Sequence, residues 1–268
     1  MDLLDDLQQA AMMAARAAAE VHHRSRNTLD PSAWNEKGRS DFVSAVDHEA
    51  EEAAVSEIRG RFPKHAIAAE EGDWGDPTPA EAEVTWYIDP LDGTTNFLHG
   101  YPSHSASVAA VDSQGLATAV VINSANWETF QATRGAGAQK NGEPISTSAI
   151  GELKLALIGT GFPFKKEELL DTYLGQFRSI LPRTSGIRRT GSAAIDLCDL
   201  ACGRLDGFWE LHLAPWDVAA GVLILREAGG VITDLEGSED VVKHGAFVAG
   251  NPMIYRALKD VLDGLRSA

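Results

Sequence analysis

Two carboxylates three residues apart, Asp89 and Asp92, stand in the string Asp89-Pro90-Leu91-Asp92-Gly93-Thr94-Thr95-Asn96-Phe97. Carboxylate oxygens suit a hard divalent cation such as Mg²⁺. The residues that follow suit an anion. Gly93 lets the backbone come close to a ligand. Thr94, Thr95 and Asn96 are types found where a helix or turn begins, with N–H groups pointing outward. Exposed N–H groups of that kind bind phosphate. A lone Asp-x-x-Asp-Gly is more often a capped turn whose acids merely accept backbone N–H bonds, but this nine-residue string is far more specific. Just upstream, Val84-Thr85-Trp86-Tyr87-Ile88 is apolar, β-branched and aromatic, a buried strand that ends on Asp89. Pro90 holds Asp89 extended and donates no N–H of its own.

The rest of the chain must position this string. Residues 3–22 carry Leu3, Leu7, Ala10, Ala11, Ala14, Ala18 and Val21 at helical spacing, one long amphipathic helix in which Met12 and Met13 serve packing. Residues 27–40 are polar, with Pro31 and Gly38, and read as a loop; 41–44 form a short extended piece. A helical pattern runs from Asp47 to Gly60 or Pro63. Residues 66–69 read as a strand that delivers Glu70 at its end, with Glu71 pointing away, and 72–83 as a polar loop. Residues 105–111 and 116–123 are split by Asp112-Ser113-Gln114-Gly115, a hairpin signal, and 128–133 form another strand. The glycines from Gly135 to Gly142 supply turns, at a spacing wrong for a dinucleotide fingerprint. Strands follow at 155–161 and 205–210, helices at 167–181, 192–202 and 217–228, strands near Val231 and Phe247, and a terminal helix from Pro252. Such alternation predicts a layered α/β protein with mixed sheets. There is no internal repeat or low-complexity tract.

Composition narrows the function. A hydrophobic content of 44% over 268 residues is that of a globular chain with a large core. The net charge of −16 argues against nucleic acid or an anionic membrane as the main partner. It does not exclude an anionic substrate, because bound metal can invert the local field. No apolar run is long enough to span a bilayer, and Met1-Asp2-Leu3-Leu4-Asp5-Asp6 lacks the basic start of a signal peptide. A cytoplasmic location is the expectation. Cys198 and Cys202, four apart in a helical pattern, read as small core residues.

The nine-residue string resembles the first signature of the inositol monophosphatase family of Mg²⁺-dependent, lithium-sensitive phosphatases. Pro215-Trp216-Asp217-Val218-Ala219-Ala220-Gly221 resembles its downstream signature, and the segment from Arg189 through Gly191, Ser192 and Ala193 to Leu197 is similar to bacterial members. The likeness runs from roughly Asp41 to Pro252. It implies an α-β-α-β-α sandwich, with an N-terminal metal-binding lobe (about 1–145) and a C-terminal lobe (about 146–268) closing over substrate, in a homodimer. Four acids then converge: Glu70, Asp89, Asp92 and Asp217. The family pattern assigns one Mg²⁺ to Glu70, Asp89 and the Leu91 carbonyl and a second to Asp89, Asp92 and Asp217, and admits a third, weaker ion near Glu70. It implies catalytic roles for Asp47, Thr94 and Glu70, with Thr94 passing a water proton toward Asp47. Phosphate would lie on the Gly93 and Thr94 amides, within reach of Glu70, Leu91, Asp92 and Asp217. Gly191, Ser192, Ala193 and Glu210 would contact the rest of the substrate. For Asp47 and Asp217 the residues alone favour plain helix-terminal acids; for Lys37, a solvated side chain. Departures are Ser44 for the common Thr, Asn123-Ser124 for the usual Asp-Pro, and His104 for a common aromatic.

The implied reaction is Mg²⁺-dependent hydrolysis of inositol 1-phosphate or a similar small polyol or sugar phosphate. Histidinol phosphate, fructose 1,6-bisphosphate and 3′-phosphoadenosine phosphates are rival substrates. The rival class is a regulatory, partner-binding protein on the same fold.

Overall fold

The computed structural model describes residues 3–26, 35–38, 41–75 and 82–266, with the backbone only for 35–38, 41–43 and 266. Helix α1 (Leu3–Ser25) is followed by the antiparallel pair β1 (Asn35–Gly38) and β2 (Asp41–Val43) and by α2 (Ala45–Arg61). Next come β3 (Ala66–Ala69), β4 (Thr85–Asp92), the short helix α3 (Thr94–Leu98), and β5 (Ser105–Asp112), β6 (Gly115–Asn123), β7 (Glu128–Thr133), β8 (Ala138–Lys140) and β9 (Glu143–Pro144). Strands β3 to β9 form one seven-stranded sheet in sequence order. Its pairs are antiparallel except β3–β4, which is parallel.

The second half supplies β10 (Leu157–Thr160), α4 (Leu170–Ile180), β11 (Gly186–Arg188), α5 (Ala193–Ala201), β12 (Gly207–Glu210), α6 (Pro215–Glu227), β13 (Val231–Thr233), α7 (Val241–His244), β14 (Phe247–Gly250) and α8 (Pro252–Arg266). Its five-stranded sheet has the order β11-β10-β12-β14-β13.

Side-chain alternation explains how the layers stack. On β5, Val108 and Ala110 face the core shared with α1 and α2, while Ala109 faces the opposite core; on β6, Val120 and Ile122 divide from Ala119 and Val121 in the same way. Both faces of this sheet are therefore covered. On the second sheet Phe208, Phe247 and Ala249 point toward α5 and α6, whereas Trp209 and Val248 point toward α4 and α8. Helix α6 buries every residue from Val218 to Leu225, as a helix between two sheets must. The result is the expected α-β-α-β-α sandwich: α1 and α2, the seven-stranded sheet, α5 and α6, the five-stranded sheet, then α4 and α8.

Several local expectations are corrected. A strand, β1, stands at Asn35–Gly38 inside the span read as a loop, the rest of which (27–34, 39–40) lies outside the described residues. Helix α2 starts before Asp47, because the Ser44 hydroxyl accepts from Val46 N while Asp47 accepts from Ser44 N, a reciprocal cap. Helix α6 likewise starts at Pro215 rather than at Asp217. Strand β4 does not end on Asp89; its pairing with β5 breaks there and resumes at Asp92, opposite Ser105. Pro90 has no N–H to continue the ladder, and that break lets the two acids leave the strand differently.

Helices α5 and α6 touch at Gly221. A Cβ on Gly221 would lie 2.6 Å from Leu197 Cβ and 2.5 Å from its Cδ1. Gly221→Ala should cost about 1–3 kcal/mol by overpacking, despite alanine's better helix propensity. Gly175, exposed on α4 with open space around it, is the control; Gly175→Ala should gain about 0.5–1 kcal/mol. Urea denaturation reads both, and a Gly221→Ala protein as stable as wild type would refute the close-contact argument.

Candidate active site

Parallel pairing sets Ala69 opposite Ile88, so β3 ends beside Asp89 of β4 and brings Glu70 and Asp89 side by side. Asp217 comes to them from the first turn of α6, where its Oδ2 accepts Ala214 N at 2.7 Å. Oxygens of Glu70, Asp89 and Asp217 all lie within 4.8 Å of one another. Asp89 is 2% exposed, and its Oδ1 accepts Leu91 N at 3.0 Å, folding the chain over Pro90. Asp92 faces the same cleft, but its Oδ2 accepts from Ser192 Oγ (2.6 Å) and from Ala194 N (2.8 Å) at the start of α5. The cleft thus draws on both halves of the chain.

Electrostatics show what this cluster lacks. Burial, then the neighbouring charges of Glu70, Asp92 and Asp217, hold the Asp89 carboxyl well above the carboxylate range. Burial and Asp92 push Asp217 up to about 7. Asp92 is raised by burial, against the opposing bonds from Ser192 and Ala194. Left to themselves, these acids cannot all ionise. An all-oxygen donor set with surplus negative charge is what a hard divalent cation requires, and it fits Mg²⁺.

Thr94 stands at the first position of α3, its Oγ 3.0 Å from Asp47 Oδ1 and 3.0 Å from the Leu91 carbonyl. Asp47 does not line the cleft; it acts on it through Thr94. The carboxylate is held from behind by Ser44, whose N–H and hydroxyl both donate to Oδ2 at 2.8 and 2.7 Å, so Ser44 performs the cap that a threonine would. Gly93 has φ of +89°, and a Cβ there would lie 2.8 Å from the Ser103 carbonyl, so the turn admits only glycine. Asn96 explains itself at long range: its Nδ2 donates to the carbonyls of Ser103 (2.7 Å) and Thr190 (2.8 Å), clamping the Gly93 turn to the Gly191 turn.

On the opposite wall lie Gly191, Ser192, Ala193 and Glu210, in a cleft of about 500 Å³. Glu210 ends β12, and burial followed by the charges of Asp196 and Asp217 raises its carboxyl well above normal, with Arg189 opposing. A Cβ on Gly161 would fall 1.8 Å from Glu210 Oε1, so the bare backbone at 161 is what gives the carboxylate its place. Arg189 spreads its guanidinium over Phe162 and Phe164, 5.4 and 5.1 Å from their centroids. Lys37 lies on β1, and its side chain is outside the described residues.

The sequence assigns no role to Glu51, or to Asp196 and Arg189 within the segment that resembles bacterial members. Asp196 is buried and accepts from Thr190 Oγ at 2.7 Å. Glu51 is 1% exposed on α2, one turn beyond Asp47 and on the same face. It accepts Glu71 N at 2.7 Å and Trp74 Nε1 at 2.8 Å, and so tethers the segment that carries Glu70. The i, i+4 spacing from Asp47 was the available signal. Glu51→Gln sets an NH₂ donor against one of these two donors. It should cost about 1–3 kcal/mol of stability, the cost of an unsatisfied buried polar group, and weaken Mg²⁺ binding. Thermal denaturation with and without Mg²⁺ measures both; an unchanged response to Mg²⁺ would disprove the tether.

The five-layer fold and its acid-lined cleft define a class, the phosphomonoester hydrolases of the sugar-phosphatase type. The model of the inositol monophosphatase family matches residues 3–264, and the chain belongs to that family. Nus factor SuhB of Pseudomonas aeruginosa is 45% identical over 250 residues, covering 92% of each chain. Among solved structures, the extragenic suppressor protein suhB of Bartonella henselae superposes with a TM-score of 0.89 at 37% identity, over 96% of this chain and 98% of that one. The inositol monophosphatase of Anabaena gives 0.86 at 35%, over 98% and 97%.

Proposed function

We propose that the chain hydrolyses a small phosphomonoester, inositol 1-phosphate before others, at an Mg²⁺ site built on Glu70, Asp89, Asp92 and Asp217. The observation that carries this reading is the meeting of Glu70, Asp89 and Asp217 oxygens within 4.8 Å beside the Thr94–Asp47 hydrogen bond. Glu70, Asp89 and the Leu91 carbonyl would hold one ion, and Asp89, Asp92 and Asp217 a second, with Asp89 shared. When bound, Mg²⁺ supplies positive charge to the phosphoryl oxygens and lowers the pKa of water.

The chain's own residues do the rest. Thr94 is placed to accept the proton of the attacking water as its own hydroxyl proton moves toward Asp47, whose acceptor is fixed by Ser44. Glu70, on the same sheet edge, helps to hold that water. The Gly93 and Thr94 amides open a helical turn and bind phosphate oxygens. The water oxygen bonds to phosphorus as the ester P–O bond breaks, and the leaving alkoxide oxygen takes a proton from solvent water as the polyol departs. Gly191, Ser192 and Ala193 floor the cleft under the polyol. The lobe from about 146 onward closes over the bound ester. On family likeness, the same reading has the protein working as a lithium-sensitive homodimer in the cytoplasm.

Glu210 sets specificity by a hydrogen bond to a ring hydroxyl. Leaving a buried hydrogen-bonding group without its partner costs roughly 1–3 kcal/mol, so Glu210→Gln should lower kcat/KM for inositol 1-phosphate by about one to two factors of ten. p-Nitrophenyl phosphate, which lacks that hydroxyl, should be nearly unaffected. Equal losses on both substrates would show that Glu210 serves the fold or the metals instead.

The test of the reading is phosphate release with Mg²⁺ across inositol 1-phosphate, histidinol phosphate, fructose 1,6-bisphosphate and a 3′-phosphoadenosine phosphate. Inositol 1-phosphate is expected to give the highest kcat/KM, and a clear preference for another ester reassigns the substrate. A second reading has one observation in its favour: curated relatives 41–45% identical carry the name Nus factor SuhB. If the chain works by binding a partner, Asp89→Asn should retain that role while losing hydrolysis.

A further inference from the structure

Two turns face each other across the cleft. The one at Gly93 opens α3 and carries the amides assigned to phosphate; the one at Gly191 leads into α5 and carries the wall assigned to the polyol. They belong to different halves of the chain, and yet they touch. A Cβ on Gly93 would lie 3.3 Å from the Gly191 carbonyl oxygen, and one on Gly191 would lie 2.8 Å from Nδ2 of Asn96. Both glycines run at positive φ, +89° and +94°, so neither turn accepts a side chain that would part them.

Asn96 holds the two turns together. Its Nδ2 lies 2.7 Å from the Ser103 carbonyl oxygen and 2.8 Å from that of Thr190, the residue before Gly191. A carbonyl oxygen only accepts, so the amide NH₂ faces both and gives one proton to each. The Ser103 oxygen in turn closes on the Gly93 turn, 2.8 Å from where a Gly93 Cβ would stand. The backbone of Asn96 is itself fixed, its carbonyl accepting Tyr101 N at 2.8 Å. This bridge uses none of the four clustered acids. The other bridge between the turns, Ser192 Oγ to Asp92 Oδ2, does run through one of them. Asn96 therefore governs the gap between the turns separately from the acids.

An ester held at both ends needs that gap to match its own span. A misplacement of about 1 Å can cost on the order of 10²-fold in rate. An ester gripped by its phosphate alone makes no such demand. We propose that Asn96 is a positioning residue that fixes the spacing between the phosphate-binding turn and the polyol-binding turn, and so favours esters that engage both. The substrate half of this rests on the reading of the cleft as a phosphomonoesterase site; the bridge does not.

Asn96→Ala removes both donors. Asn96 lines the cleft, so water can take over at the two carbonyls and the protein should fold. Asn96→Ser, whose hydroxyl is one bond shorter and has one proton, cannot span both carbonyls and should behave in the same way. Hydrogen exchange of the metal-free protein tests the bridge without any activity. Residues 190–194 should exchange at least about tenfold faster in both variants, because two hydrogen bonds that hold this turn are gone. Kinetics with Mg²⁺ test its purpose. For inositol 1-phosphate, or whichever ester the substrate panel prefers, kcat/KM should fall by about ten- to a hundredfold. p-Nitrophenyl phosphate should keep nearly its wild-type value. Unchanged exchange at 190–194 would overturn the bridge. Equal losses on both esters, or no loss on either, would overturn the spacing role. A wild type that hydrolyses neither ester with Mg²⁺ overturns the reading of the cleft and the substrate half of this inference, while exchange still judges the bridge.

Discussion

Asp89→Asn should abolish phosphate release while leaving the fold intact. Asp89 is the acid proposed to be shared between both ions, so an amide there weakens both at once. The expected loss is at least about a thousandfold in kcat/KM, roughly 4 kcal/mol at 1.36 kcal/mol per factor of ten. Stability should move the other way. In the metal-free protein Asp89 is buried against Glu70, Asp92 and Asp217, all of which disfavour its charge. The amide removes that conflict, and its oxygen can still accept Leu91 N. The metal-free variant should therefore melt no lower than metal-free wild type, and Mg²⁺ should stabilise only the wild type. Turnover near wild type at ordinary Mg²⁺ would end the two-ion assignment, and a lower melting temperature would show that Asp89 serves folding.

Thr94→Val is expected to lose about 10²–10⁴ in kcat, the range for a positioned proton-transfer group, with KM little changed. Valine matches threonine in shape and removes only the hydroxyl that joins Leu91 and Asp47. Asp47→Asn should show a similar loss, because among the described residues Asp47 reaches the cleft through Thr94. If the two act as one unit, the double variant should be hardly slower than either single one. Thr94→Ser should keep most of the activity. Fully additive losses in the double variant would separate the roles of the two residues, and a Thr94→Val enzyme at wild-type rate would remove the hydroxyl from the reaction.

Much of this site was legible in the sequence because its acids sit where elements begin or end. Glu70 follows one apolar strand and Asp89 closes the apolar run of another, where its pairing with β5 breaks, and parallel pairing of β3 with β4 makes the two neighbours. Asp217 stands in the first turn of α6. The layering was harder to see, since alternation along β5 and β6 shows that both faces are buried without saying what covers each. Least legible were partnerships between distant residues. Asn96 reaches Thr190, and Ser192 reaches Asp92 about a hundred residues away, through hydrogen bonds that no local pattern encodes. Glu51 was hidden for the same reason, as its partners are Glu71, which reads as pointing away from the site, and Trp74, in a span that reads only as polar loop. Ser124 and His104 looked like unrelated substitutions until the fold placed the Ser124 hydroxyl between the rings of His104 and His22.

The central claim is that the cluster of Glu70, Asp89, Asp92 and Asp217 works only when it holds Mg²⁺. Its most direct test is phosphate release from inositol 1-phosphate by protein stripped of metal, followed as Mg²⁺ is added back. The account predicts background rates in chelator and saturable recovery of the full rate on Mg²⁺ addition. A stripped protein that hydrolyses the ester at full rate in chelator, or one that stays at background however much Mg²⁺ is supplied, would contradict it.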